Sequence, residues 1–176
     1  MDWINASREI FGDKIAALFV VSAGLDAAGN DLIVQGDEGV DGVTASGTQF
    51  GAALASGDFS RDGRDDLAVG APGTEVNGDR RAGAVNVLYG DADGLSTSHD
   101  DLWTQDSTNI EGQAEPHDRF GSSLTVGDFN RAGSDDLAIG TPWDSHLGQS
   151  GVGAVNVIYG VTGGLFRHSD QLWHQD

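Results

Sequence analysis

Two stretches of the chain gather oxygen-bearing side chains at spacings that suit a hard cation. In Asp58-Phe59-Ser60-Arg61-Asp62-Gly63-Arg64-Asp65-Asp66, side-chain oxygens fall at loop positions 1, 3, 5 and 9, and Gly63 stands at position 6. Calcium takes six to eight oxygen ligands, and alternate residues of a tightly curled loop point inward. The glycine permits the sharp bend, and the carbonyl of Arg64 at position 7 offers a further oxygen. An EF-hand needs a glutamate at position 12, where this chain has Val69 inside a strand pattern, so the loop reads as a hairpin connection. The competing reading is a bare turn, because Asp, Ser and Gly readily bond their own backbone. Repulsion among Asp58, Asp62 and Asp66 favours the cation, since a divalent ion removes the conflict. The copy Asp128-Phe129-Asn130-Arg131-Ala132-Gly133-Ser134-Asp135-Asp136 keeps positions 1, 3 and 9 but carries Ala132 at position 5, where a water would have to replace the missing ligand. At 23–31, Ala23, Leu25 and Ala27 occupy the ligand positions and leave nothing to bind.

The composition points the same way. The 176 residues include 9 Lys+Arg and 28 Asp+Glu, a formal charge of -19, so phosphate backbones and anionic lipid headgroups are repelled and cations attracted. No nucleic-acid partner and no membrane insertion are expected, the latter because no run approaches the roughly 20 apolar residues of a spanning helix. The absence of cysteine removes disulfides, thiolate metal sites and cysteine nucleophiles together. With 27 glycines the chain favours tight turns and short strands over long helices.

The elements that position the loops follow from an internal repeat. Phe50-Gly51 returns as Phe120-Gly121, Asp65-Asp66-Leu67-Ala68 as Asp135-Asp136-Leu137-Ala138, and Gly83-Ala84-Val85-Asn86-Val87 as Gly153-Ala154-Val155-Asn156-Val157, always 70 residues on. Residues 50–106 and 120–176 share 29 identities in 57 positions without a gap. Within a unit, 50–57, 66–71 and 84–90 carry strand patterns, the last alternating Val85, Val87 and Tyr89, and a fourth short strand fits 101–105. Turns are expected at 58–65, 72–83 and 91–99. Four short antiparallel strands per repeated unit is the pattern of a β-propeller blade.

The same offset reaches the N-terminal third, where Gly24-Leu25 matches Gly94-Leu95 and Leu32 and Gln35 match Leu102 and Gln105. Residues 1–49 are therefore read as a diverged partial unit, 50–119 as a full blade with its loop, and 120–176 as a blade with a degenerate loop. In the apolar run Ile15 to Ala23, Ile15–Phe19 falls in register with Val85–Tyr89, and acidic Asp2, Glu9 and Asp13 precede the run. It reads as a strand rather than a signal peptide.

Phe50-Gly51 followed by Gly70-Ala71-Pro72, with the aspartate loop between them, resembles the FG-GAP repeat of integrin α-subunit propellers and their bacterial relatives. The second unit reads Phe120-Gly121 and Gly140-Thr141-Pro142, losing the middle alanine. The resemblance implies an all-β chain of about two and a half blades of a seven-bladed propeller, with calcium loops between the first and second strands of a blade. Carried over by position, the calcium ligands are Asp58, Ser60, Asp62, the Arg64 carbonyl and Asp66. In the second copy they are Asp128, Asn130, the Ser134 carbonyl and Asp136. It also implies ligand recognition on the opposite face, here 73–82, 107–119 and 143–152. The two copies diverge most at 73–82 and 143–152, and Arg80, Arg81, Trp143 and His146 are the candidates there.

No nucleophile elbow, zinc-binding helix motif or phosphate loop is present, and the five histidines fall at unrelated points of the repeat. The chain therefore reads as a non-enzymatic, calcium-binding module for adhesion or extracellular ligand binding, with an unidentified protein or glycan as partner. A different reading is an accessory propeller region of a secreted hydrolase, such as a lipid-anchor-cleaving phospholipase, with catalysis elsewhere. By resemblance the expected location is extracellular or at the cell surface. Self-association through open blade faces is also expected.

Overall fold

The computed structural model describes residues 4–7, 14–21, 24–25, 31–36, 39–92, 94–145 and 148–174. They form twelve strands in three antiparallel sheets, with no helix, and hence none long and apolar enough to cross a membrane.

The first complete blade runs β5 (Ala53–Gly57), β6 (Asp66–Ala71), β7 (Ala84–Asp91) and β8 (Gly94–Trp103), each paired with the next. The second repeats this order with β9 (Ser123–Gly127), β10 (Asp136–Thr141), β11 (Ala154–Val161) and β12 (Gly164–His174). Their registers match through the same 70-residue offset, Leu67 facing Leu88 as Leu137 faces Ile158. In the N-terminal sheet, β2 (Lys14–Val21) pairs with β1 (Ile4–Ser7), β3 (Gly24–Leu25) and β4 (Asp31–Val34). Ile15 faces Ile33 as Val85 faces Trp103, so β2 holds the third-strand position, while β3 and β4 together hold the fourth.

The fourth strand is longer than its sequence suggests. Residues 94–99, expected to lie in a turn, belong to this strand, which pairs with β7 across a register shift between Leu88 and Gly90. Ser96, Ser98 and His99 look like turn residues, but β8 is an outer strand whose exposed side needs no apolar alternation.

Apolar side chains from adjacent units make the core. Phe59, Ala68, Val85, Val87 and Trp103 of the first blade pack with Phe120, Leu137, Ile139, Ile158 and Leu165 of the second. Ile33 and Val40 cover Phe50, Leu67, Val69 and Leu88 on the first blade's other side. Glycine lets the blades approach: a Cβ on Gly70 would lie 2.1 Å from the Gly121 carbonyl oxygen. Among the described residues, none covers the second blade's outward face in this way. Trp103 is 0% exposed, whereas its repeat counterpart Trp173 is 62% exposed, and buried Phe59 and Val85 have exposed counterparts in Phe129 and Val155.

Candidate metal centre

The aspartate loop joins β5 to β6, as its hairpin reading requires. Arg61 and Gly63 take left-handed backbone angles (φ 57° and 87°) that curl the chain around its own side chains. Asp58 accepts the Asp62 N–H on Oδ1 at 3.0 Å and the Gly63 N–H on Oδ2 at 2.9 Å. Each carboxylate oxygen has a second lone pair to offer a cation. Asp66 is fully buried and accepts N–H groups from Ser60 at 3.0 Å and, across the sheet, from Gly90 at 2.9 Å. Burial pushes its carboxyl up to about 6 against those two hydrogen bonds, and the nearby charges of Asp58 and Asp62 add to the rise. Ser60 Oγ is buried without a hydrogen-bond partner between these groups in the sequence of the loop. Asp62 is turned outward, accepting the Arg64 N–H at 2.9 Å and pairing with the Arg64 guanidinium at 2.9 Å.

This set fits a hard cation in chemistry, being oxygen-only, with an orphaned hydroxyl and a buried carboxylate of raised pKa. Among the described residues, no three His, Cys, Asp or Glu side chains converge as a ready cage. Binding through Asp62 would exchange its exposed ion pair with Arg64 for the cation, and such pairs contribute only about 0–1 kcal/mol.

The second loop, between β9 and β10, has the same backbone, with Arg131 at φ 62° and Gly133 at φ 86°. Asp128 accepts N–H groups from Ala132 and Gly133, and buried Asp136 accepts from Phe129, Asn130 and Gly160. Asn130 Oδ1 is taken by the Ala132 N–H at 2.7 Å, and Ser134 is buried. Ala132 leaves position 5 without a side-chain oxygen inside an otherwise repeated frame.

One carboxylate near the first loop was not singled out in the sequence. Asp135 reaches from the second blade, its Oδ2 accepting the Asp58 N–H at 3.0 Å while its own N–H donates to the Asp58 carbonyl at 3.1 Å. Burial and the charges of Asp135 and Asp58 raise the Asp65 carboxyl. The signal available was the repeated Asp65/Asp135 pair next to each terminal ligand, but its cross-blade role depends on how the blades stack.

At the opposite ends of the strands, Arg80 and Arg81 are exposed and their carbonyls accept the N–H groups of His117 and Arg119. Trp143, also exposed, donates its N–H to the Asp118 carbonyl at 3.3 Å. The segment 117–119 thus brings Arg80, Arg81 and Trp143 to one rim. His146 lies outside the described residues.

Unclosed four-stranded blades, repeated in register and carrying acidic first hairpins, define a partial β-propeller of repeat units. Residues 50–88 and 120–158 match the family model of the FG-GAP repeat, and the chain is an integrin-like FG-GAP repeat protein. It is 38% identical over 124 residues to phosphatidylinositol-glycan-specific phospholipase D of Rattus norvegicus and 40% identical over 124 residues to that of Homo sapiens, in each case covering 70% of this chain and 15% of the relative. It is 35% identical over 134 residues to integrin alpha-3 of Cricetulus griseus, covering 76% of this chain and 11% of the relative. The chain thus spans about a seventh or less of these curated relatives.

Proposed function

We propose that the chain is a calcium-stabilised binding module that presents ligand-contacting loops on the rim opposite its metal loops, without catalysis of its own. The observation that carries this reading is the first hairpin, where an unpartnered Ser60 hydroxyl stands in a loop flanked by Asp58 and buried Asp66. Asp58, Ser60, Asp66 and the Arg64 carbonyl would hold the ion, joined by Asp62 once it leaves Arg64. In the second loop, Asp128, Asn130, the Ser134 carbonyl and Asp136 would hold it more weakly. A bound ion supplies charge neutralisation, locking the hairpin that ties β5 to β6 and, through Asp135, to the next blade.

The rim of Arg80, Arg81 and Trp143 is the proposed contact surface for a protein or glycan outside the cell, the setting expected of an adhesion module. Arrays of glycans and matrix proteins, probed in calcium and in chelator, test it. Binding that requires calcium and is lost in Trp143→Ala is the expected result, and an identical pattern for that variant would contradict the rim assignment.

The phospholipase similarity supports a second reading, an accessory propeller of a larger secreted hydrolase. Release of lipid-anchored reporter proteins by the complete gene product, with none from these residues alone, would favour it. Failure of both to release the reporter would count against it.

A further inference from the structure

Three of the nine Lys+Arg residues, Arg80, Arg81 and Arg119, fall with His117 on two adjoining segments of one rim. The His117 N–H donates to the Arg80 carbonyl at 2.9 Å and the Arg119 N–H to the Arg81 carbonyl at 3.0 Å, which sets the four residues side by side along the backbone. Arg80, Arg81 and His117 are exposed and Arg119 is half-buried. The carboxylates of the same segments lie deeper, Asp79 and Glu115 half-buried and Asp118 buried. Among the described residues the ion pairs are Arg64–Asp62 and Arg167–Asp101, and neither involves these arginines. In a chain with 28 Asp+Glu, three guanidinium forks without an ion-pair partner leave donors that match a carboxylate from outside.

The internal repeat shows that the frame does not require these side chains. Arg80 and Arg81 correspond to Ser150 and Gly151, and His117 and Arg119 to Gly47 and Gln49. The backbone is the same in both copies: φ is 57° at Arg81 and 67° at Gly151, 77° at His117 and 90° at Gly47, 62° at Arg119 and 58° at Gln49. Left-handed backbone suits glycine, so Arg81 and His117 place basic side chains at positions that the other copy fills without strain. Strain kept at two neighbouring rim positions, both basic, points to a role other than folding.

The surroundings narrow the ligand. A formal charge of -19 repels a densely charged polyanion before contact, whereas a guanidinium fork acts at contact, so a lone carboxylate on an otherwise neutral body suits this rim. Trp143 stands beside the fork, its N–H donating to the Asp118 carbonyl at 3.3 Å, one residue from Arg119. Its indole lies against Gly151, where a Cβ would come 3.3 Å from Cε3, and Trp143 is 56% exposed. An open indole next to carboxylate donors suits a sugar ring, whose C–H face packs on the aromatic face while its acid group reaches the arginines.

We propose that this rim binds a carboxylated sugar of the uronic or sialic acid class, its carboxylate held by the Arg80, Arg81 and Arg119 guanidinium groups and its ring laid on Trp143. The inference rests on reading the rim as a contact surface and names the ligand class for it.

The test is biolayer interferometry of the full chain in millimolar calcium against immobilised glucuronate-terminated and sialic-acid-terminated glycans, each paired with its carboxyl-reduced form. R80S/R81G/R119Q installs residues that the repeat itself carries at these positions, and its Tm reports whether the fold is kept. Binding to one acidic class, weaker by about tenfold or more for the carboxyl-reduced form and for the triple variant, is the expected result, and the class that binds identifies the ring. Equal binding of acidic and reduced forms, undiminished binding by the triple variant, or no binding to either acidic class overturns the proposal. The rim reading is judged separately on matrix proteins: binding there that is lost in Trp143→Ala retains the rim even where the carboxylate assignment falls. Should the triple variant fail to fold, Arg81→Gly alone takes its place, with the same expected weakening and the same contradicting result.

Discussion

Asp62 and Asp66 occupy one loop but should answer differently to mutation. Asp62 is exposed and engaged with Arg64, so Asp62→Ala should leave calcium-free stability nearly unchanged, within about 1 kcal/mol, while removing much of the calcium-induced rise in Tm. Differential scanning calorimetry with calcium and with chelator separates the two quantities, and an undiminished calcium response would remove Asp62 from the ligand set. The buried carboxyls make a second prediction. Burial pushes Asp118 up to about 7, with Asp144, Glu115 and Asp79 adding to the rise, whereas an unfolded aspartate titrates near 3.9. The folded chain then holds that proton more tightly than the unfolded one, so this group stabilises the fold as pH falls from about 7 towards 4 and opposes it above 7. Asp66, up at about 6, contributes with the same sign over a narrower window. In chelator, Tm should therefore rise between pH 7.5 and 5, and rise less in D118T/D144T; equal slopes would contradict the burial argument.

The hairpin between first and second strands is the element on which the proposed metal binding turns, and its two copies permit a gain-of-function test. The loops share backbone angles at Arg61 and Arg131 and at Gly63 and Gly133, and differ at position 5. Ala132→Asp should therefore place a carboxylate on a frame already shaped for it and raise the calcium affinity of the second loop by at least tenfold, read by calorimetric titration. No change in affinity would mean that position 5 does not contact the ion. These hairpins were legible in the sequence because the 70-residue repeat and the alternation of Leu67 and Val69 mark the strands that flank them. The course of β8 through 94–100 was not, since polar residues on an outer strand carry no alternation to read. Nor was the Asp135 bond to Asp58, because a contact across 77 positions depends on blade stacking.

At the scale of the whole molecule, stacking buries Trp103 under the second blade, where the Arg167 guanidinium lies 4.5 Å from its ring centroid. Arg167 also pairs with Asp101, and the Tyr89 hydroxyl accepts the Leu165 N–H at 3.2 Å, so the blades are joined by polar as well as apolar contacts. Trp173, Val155 and Phe129 offer a like surface that is exposed. Concentration-dependent association is the expected consequence, weakened in Trp173→Asp. Analytical ultracentrifugation reads it, and a monomer at all concentrations for the wild-type chain would contradict it. The central claim, that the aspartate hairpin is a calcium site stabilising this stack, is most directly tested by titrating calcium into the chain at neutral pH in a calorimeter. The account predicts saturable binding that fills by millimolar calcium and is lost from the first loop in D58A/D62A. Absence of binding heat together with an unmoved Tm at millimolar calcium would contradict it.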